Sequence, residues 1–288
     1  MSRWTIFCLL FAGSAVAAEN PMFTELRTKG VAMSDGSLVP LAAPFLDDGL
    51  DAAGQQAAIN KLAGNKTTFE ALAARSLQAP VVINIRSPKL KDGLARVVDV
   101  GFIAYGNWNQ IQSDQFLEGL LRSPPDKTEG LPARSGTLST EELKKRNITA
   151  KVGQGLDERY FFSTVNLLDQ VQVVSTRYSV GHRGPQSLIL AAKIDPQFNK
   201  DSEHPNVWRR ISFSSSGAVE LGSPTAYTAS GFYVKATQLA QPAGAIFIEY
   251  HMVFEEPQAW FNGGGQLRSK LPLLIQDEVR TLRRRMQQ

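Results

Sequence analysis

The sequence predicts an α+β fold: an antiparallel β-sheet in the second half of the chain, a long C-terminal helix against it, and extra helices ahead of the sheet. Two patterns carry this. From Val171 onward, runs rich in β-branched and aromatic residues recur at short intervals between Gly, Pro and Asn/Asp turns. Connections that short join antiparallel neighbours and leave no room for crossovers. At the end of the chain, Leu267, Leu271, Leu274, Ile275, Val279, Leu282 and Met286 fall on one helical stripe, with Asp277, Glu278, Arg280 and Arg284 off it. An antiparallel sheet buries at least one face, and a final helix with a wide apolar stripe can cover it.

The first residues have the form of a secretory signal. Arg3 gives a positive start, Ile6 to Val16 an apolar run too short to span a bilayer, and Ala15-Val16-Ala17 a small-x-small cleavage site. Cleavage after Ala17 or Ala18 would release a periplasmic or secreted chain. The one cysteine, Cys8, lies inside this segment behind Thr5-Ile6-Phe7, without the small residue a lipid anchor needs before it. The mature chain is then expected to lack disulfides, thiolate metal sites and a cysteine nucleophile, so a core must hold it together.

Composition is that of a folded, water-exposed chain, 43% hydrophobic and 20% charged. No apolar segment after residue 18 approaches the ~20 residues of a spanning helix. The net charge is +4, but the basic residues are spread along the chain except for Arg280, Arg283, Arg284 and Arg285. Arginines suit the negative end of a helix dipole or an anionic surface, and nothing here has the pattern of a nucleic-acid interface.

Residues 19–50 read as an irregular leader, because Pro21, Gly30, Gly36, Pro40 and Pro44 interrupt any long helix. The rest, 51–288, reads as one α+β unit. Asp51 opens a helix that Gly64 stops, and a short helix over Thr68 to Ser76 follows. Val81–Ile85 and Arg96–Tyr105 are β-rich runs around a Lys91-Asp92-Gly93 turn, hence a hairpin. Asp114 to Leu121 is a short amphipathic helix. Asp126 to Ser139 is a loop, and Ser139 with Glu142 is a capping box. Residues 157–169 suit a strand or a buried helix equally. Strands are expected at Val171–Val180, Ser187–Ile194, Val207–Phe213, Ala226–Thr237 and Ala245–Glu255, then the helix, with Pro272 in its first turn.

The end of the chain carries a family resemblance. Ile246-Phe247-Ile248-Glu249-Tyr250-His251-Met252-Val253-Phe254, then Glu255-Glu256-Pro257, Trp260-Phe261 and Ser269-Lys270-Leu271-Pro272 give a last strand, a Pro-containing turn and a long helix in succession. That order resembles the helix-grip fold of the START-like (polyketide cyclase-like) superfamily, across roughly residues 50–288. The resemblance implies a curved antiparallel sheet gripping the C-terminal helix around an apolar cavity. The leader has no counterpart there, and no diagnostic catalytic motif is present.

Candidate sites are few. Glu249 and His251 share one face of the last strand and are candidates for an acid/base pair. The face of Ile246, Ile248, Tyr250, Met252 and Phe254 is the more apolar, however, so the alternation predicts Glu249 and His251 on a solvated outer face. Asn199, Asp201 and Glu203 sit in a polar loop that lacks the central glycine and terminal glutamate of a calcium loop; an Asx-turn hairpin explains them. Gly263-Gly264-Gly265 matches no phosphate-loop pattern and reads as a hinge before the helix. No nucleophile elbow or zinc-protease helix occurs. No metal or cofactor is expected.

In a cavity fold, aromatic residues of the C-terminal half line the pocket. The candidates are Tyr233, Tyr250 and Phe254, with Trp260 and Phe261 at the rim. The expected function is binding of an apolar or amphipathic small molecule such as a lipid. The alternatives are a hydrolase- or cyclase-like enzyme on an apolar substrate, as the resemblance also implies, and a non-catalytic interaction protein with a filled core whose arginine-rich end meets an anionic surface.

Overall fold

The computed structural model describes residues 20–121, 131, 134–153, 156–261 and 265–287. The expected signal with Cys8, half of the loop expected at 126–139, and Gly263-Gly264 lie outside the described residues.

Local chemistry sets the helix ends. Asn20 caps α1 (Pro21–Thr28): its side-chain oxygen accepts from the Phe23 N–H at 3.0 Å, and Pro21 sits where a missing N–H costs nothing. Asp51 caps α2 (Ala52–Ala63), which Gly64 ends, and Thr68 caps the single turn α3 (Phe69–Leu72). The hairpin of β1 (Val82–Arg86) and β2 (Gly93–Tyr105) follows, then α4 (Trp108–Ile111) and α5 (Asp114–Leu121). α6 (Thr140–Lys144) begins with the Ser139/Glu142 capping box in place. After it come β3 (Leu156–Leu167), β4 (Val171–Arg183), β5 (Ser187–Ile194), β6 (Val207–Phe213), β7 (Ser230–Gln238), β8 (Ala245–Pro257) and α7 (Gln266–Met286).

The strands pair antiparallel in the order β3-β4-β5-β7-β8-β2-β1. β4 gives one edge to β3 and shares the other between β5, along Arg177–Arg183, and β6, along Val171–Val174. The chain is thus α+β and dominated by an antiparallel sheet with a C-terminal helix.

Both faces of that sheet are covered. On one, Leu271, Val279 and Met286 of α7, with Leu117 and Leu121 of α5, join a core with Val98, Val100, Phe102, Ile246 and Ile248. The first turn of α7 packs elsewhere, Leu267 against Val173, Trp208 and Trp260. On the opposite face lie α2 and α3, whose Ile59, Ala63 and Leu72 meet Val82, Ile103 and Phe247.

The leader is more ordered than expected: α1 and a short pairing of Val31–Ala32 with Leu38–Val39 interrupt its irregular course, and it packs into the core. Met22, Phe23, Leu26, Val31, Met33 and Leu41 are buried against Val97, Ala191, Tyr233 and Val253. Each such side chain contributes roughly 1.5–3 kcal/mol before chain entropy is counted. The leader's side chains come so close to the sheet that a Cβ at Gly231 would meet Val31 Cγ2 at 2.6 Å. Smaller differences follow tertiary context. The ambiguous 157–169 segment is strand β3, because β4 offers it a partner along its whole length. Thr225-Ala226 pairs with Val207-Trp208 of β6 rather than opening β7, the helix expected to reach Ser76 ends at Leu72, and Pro272 lies inside α7 rather than in its first turn.

Candidate functional site

The register of three strands assembles a buried polar cluster that no single segment announces. Tyr233 of β7, His251 of β8 and Asp99 of β2 lie side by side across the sheet. Glu249 follows on the same face, beside Lys235 of β7. His251 Nδ1 stands 2.8 Å from Asp99 Oδ1, and Nε2 stands 3.1 Å from Glu249 Oε2. Because each ring nitrogen meets a carboxylate oxygen, the doubly protonated imidazolium fits, donating to both. Burial opposes that charge, but the hydrogen bonds to Asp99 and Glu249 outweigh it and raise the His251 pKa above the usual histidine value. The ring lies between Tyr233, stacked at 4.6 Å, and Phe45, at 4.7 Å.

The expectation of a solvated pair is therefore wrong: Glu249 and His251 are each 0% exposed. The reason is the leader, which covers the face that alternation alone assigned to water. The Phe45 N–H donates to Glu249 Oε2 at 2.5 Å, the Tyr233 hydroxyl to the Ala42 carbonyl at 2.8 Å, and Lys235 Nζ to the Leu46 carbonyl at 2.6 Å. Lys235 also pairs with Asp48 at 2.9 Å, and Arg86 with Asp99 at 3.3 Å. Sealed this way, the cluster clasps leader to sheet and reaches no substrate in this conformation.

The α7-facing side is different in kind. Tyr250, Met252 and Phe254 occupy the middle of β8 on this side, flanked by Val98 and Val100 of β2 and by Phe232 and Val234 of β7. Phe232 stacks on Tyr250 at 5.2 Å. These three β8 side chains remain only half-buried, whereas Phe247, Glu249, His251 and Val253 on the other face are fully buried. Burial by the surrounding protein pushes the Tyr250 hydroxyl pKa up to about 12. Arg177 of β4 is likewise half-buried, with its guanidinium pKa pulled down by burial. Tyr250, Met252 and Phe254 thus pack against the core of this face while part of their surface stays accessible.

The sequence-derived ligand set splits across these two faces. Tyr250 and Phe254 face α7. Tyr233 lies on the leader side, fully buried against His251 and Phe23. Trp260 and Phe261 form no rim: they are 2% and 4% exposed and pack with Trp208, Tyr227 and Leu267.

Other candidates resolve into structural roles. Asp201 and Glu203 hold the Arg146 guanidinium at 2.7 and 2.8 Å, and that contact draws the Asp201 carboxyl down to about 2. Of the C-terminal arginines, Arg283 is buried and donates to the carbonyls of Ile103, Leu77, Ala79 and Pro80. Arg280 pairs with Asp277, leaving Arg284 and Arg285 exposed. A groove of about 560 Å³ beside β3 is lined by Asp114, Glu118, Asp157, Arg159 and Arg183, charges that already pair with one another. Among the described residues no helix is long and apolar enough to cross a membrane.

Sequence reasoning passed over Asp99, Lys235 and Arg177. Asp99 and Lys235 each stood as a charged residue amid an apolar strand run, which was the available signal. What the charge faced depended on pairing register. Compared with known proteins, the chain matches no family model, and no curated protein is detectably similar to it.

Proposed function

We propose that this protein is an exported carrier for an apolar or amphipathic small molecule, held between the sheet and α7 in a helix-grip arrangement. The observation that carries the reading is the contrast between the two faces of β8. The mixed polar face of Glu249 and His251 is packed shut, while Tyr250, Met252 and Phe254 on the aromatic face keep part of their surface accessible. Apolar surface left accessible in an interior is stabilised by an apolar occupant, because burying it removes that area from water. A few polar groups orient such a ligand, and Tyr250 has its hydroxyl on this side.

The test is titration of the refolded, delipidated protein with the neutral fluorescent probe N-phenyl-1-naphthylamine. The reading expects saturable binding that Phe254→Ala weakens, because that residue faces the space. Absence of saturable binding, or binding that Phe254→Ala leaves unchanged, contradicts it.

A further inference from the structure

Resting on that reading, we infer that the bound molecule carries a carboxylate head, and that Arg177 is the residue that receives it.

Arg177 belongs to the α7-facing side by register. It stands between Phe161 of β3 and Ile194 of β5, both buried apolar residues. Among the described residues its guanidinium makes one hydrogen bond, from Nη1 to the Ser163 hydroxyl at 2.8 Å, and no ion pair. Its Nε is buried without a partner. Nε–H and an Nη2–H together form the edge of arginine that matches the two oxygens of a carboxylate, and neither is bonded to any of the described residues.

The surroundings repeat the pattern of donors without acceptors. Ser175, two residues along β4 on the same face and directly across from Ser163, is 1% exposed, and its hydroxyl has no partner. The Tyr250 hydroxyl has none either among the described residues, and the Arg177 charge is near enough to act on the phenols of both Tyr250 and Tyr227. Tyr227 is already engaged with the Glu255 carbonyl at 3.2 Å.

An isolated buried cation is costly unless something answers it. Among the described residues, Arg96 is answered by Glu256, Lys235 by Asp48 and the Leu46 carbonyl, and Arg283 by four carbonyls, whereas Arg27 and Arg209 share with Arg177 a buried Nε without a partner. Of these three, Arg177 is the one on the α7-facing side, where the Ser163 hydroxyl is its hydrogen-bond partner. A carboxylate with an apolar tail supplies the missing charge and acceptors and fills the space beside Tyr250 and Phe254. The single positive charge matches a monoanionic head better than a phosphate monoester of nearly two charges.

The experiment compares dodecanoate with dodecan-1-ol as competitors of the neutral naphthylamine probe, on wild type, Arg177→Met and Arg177→Lys. Wild type should prefer dodecanoate. Arg177→Met should weaken dodecanoate on the order of ten- to hundredfold while leaving dodecan-1-ol within about twofold. Its Tm should hold or rise, because an unanswered buried charge is gone. Arg177→Lys, which keeps the charge without the fork, should fall between. Equal effects on both ligands, or none on either, overturn the carboxylate inference and leave the carrier reading standing. A wild type that binds neither ligand overturns both. If Arg177→Met fails to fold, Arg177→Lys carries the same comparison with the same criterion.

Discussion

Glu249 Oε2 accepts two hydrogen bonds at once, from His251 on its own strand at 3.1 Å and from the Phe45 N–H of the leader at 2.5 Å. One carboxylate oxygen thus joins the sheet's ionic cluster to the segment that covers it. The polar face of β8 is consequently as dry as a core, and the leader is part of the fold. The consequences divide between the clasped face and the aromatic one.

The clasp makes stability depend on pH through His251. Its folded pKa is raised above the unfolded value of ~6.5. Its contribution is therefore fully present below pH ~6.5 and is lost as pH rises through the higher folded pKa. Thermal melts of wild type should fall in Tm across that window, and those of His251→Gln should lack this fall, with His182 and His204 present in both. His251→Gln should also cost about 3–5 kcal/mol near neutrality, since Asp99 and Glu249 lose their shared cation. Parallel pH profiles would exclude the clasp.

Leader and sheet should separate when their spacing is violated. A methyl group at residue 231 meets Val31 Cγ2 at 2.6 Å and Leu26 Cδ2 at 3.1 Å. Gly231→Ala should destabilise by about 1–3 kcal/mol, and limited proteolysis should cut within residues 20–45 faster than in wild type. Unchanged cleavage would mean that the leader does not pack there.

Arg283 holds the C-terminal helix to β2 through the Ile103 carbonyl and to the segment ahead of β1 through the carbonyls of Leu77, Ala79 and Pro80. Burial lowers its pKa to about 10, so it remains charged at neutrality. Arg283→Leu leaves those carbonyls without their donor, at about 1–3 kcal/mol for each one that stays buried and unpaired. Urea unfolding should show a loss of several kcal/mol, whereas Arg284→Leu and Arg285→Leu, at exposed positions, should change little.

Trp260 and Phe254 should behave in opposite ways. Trp260 is 2% exposed within a cluster of Trp208, Tyr227 and Phe261. Trp260→Ala should therefore cost about 3–5 kcal/mol of stability without selectively altering probe affinity. Phe254→Ala should weaken the probe at a smaller cost in Tm. The reverse outcome would return Trp260 to the site.

The periodic elements were legible in the sequence because their signals are local. Ser187–Ile194, Val207–Phe213 and Asp114–Leu121 carry hydrophobic patterns bounded by turn residues, and the Ser139/Glu142 box and the Asp51 and Gly64 caps declare helix ends. The leader was not, although Asn20-Pro21 ahead of Met22, Phe23 and Leu26 is a helix start with an apolar face. Its prolines and glycines masked a helix of only eight residues. The face of β8 was misread for a related reason. Alternation ranks two faces by polarity, but a polar face is buried when another element covers it and register supplies its counter-charges. Asp99 lies 152 residues from His251, and Phe45 lies 204 from Glu249, so nothing local could foretell those partners.

The carrier reading is tested most directly by photoaffinity labelling with dodecanoate bearing a diazirine in its chain, followed by mass-spectrometric mapping. The account predicts label on β8 around Tyr250–Phe254 and on the sheet-facing residues of α7, suppressed by excess dodecanoate. Label confined to exposed apolar positions such as Phe213 and Leu221, and indifferent to competitor, would contradict it.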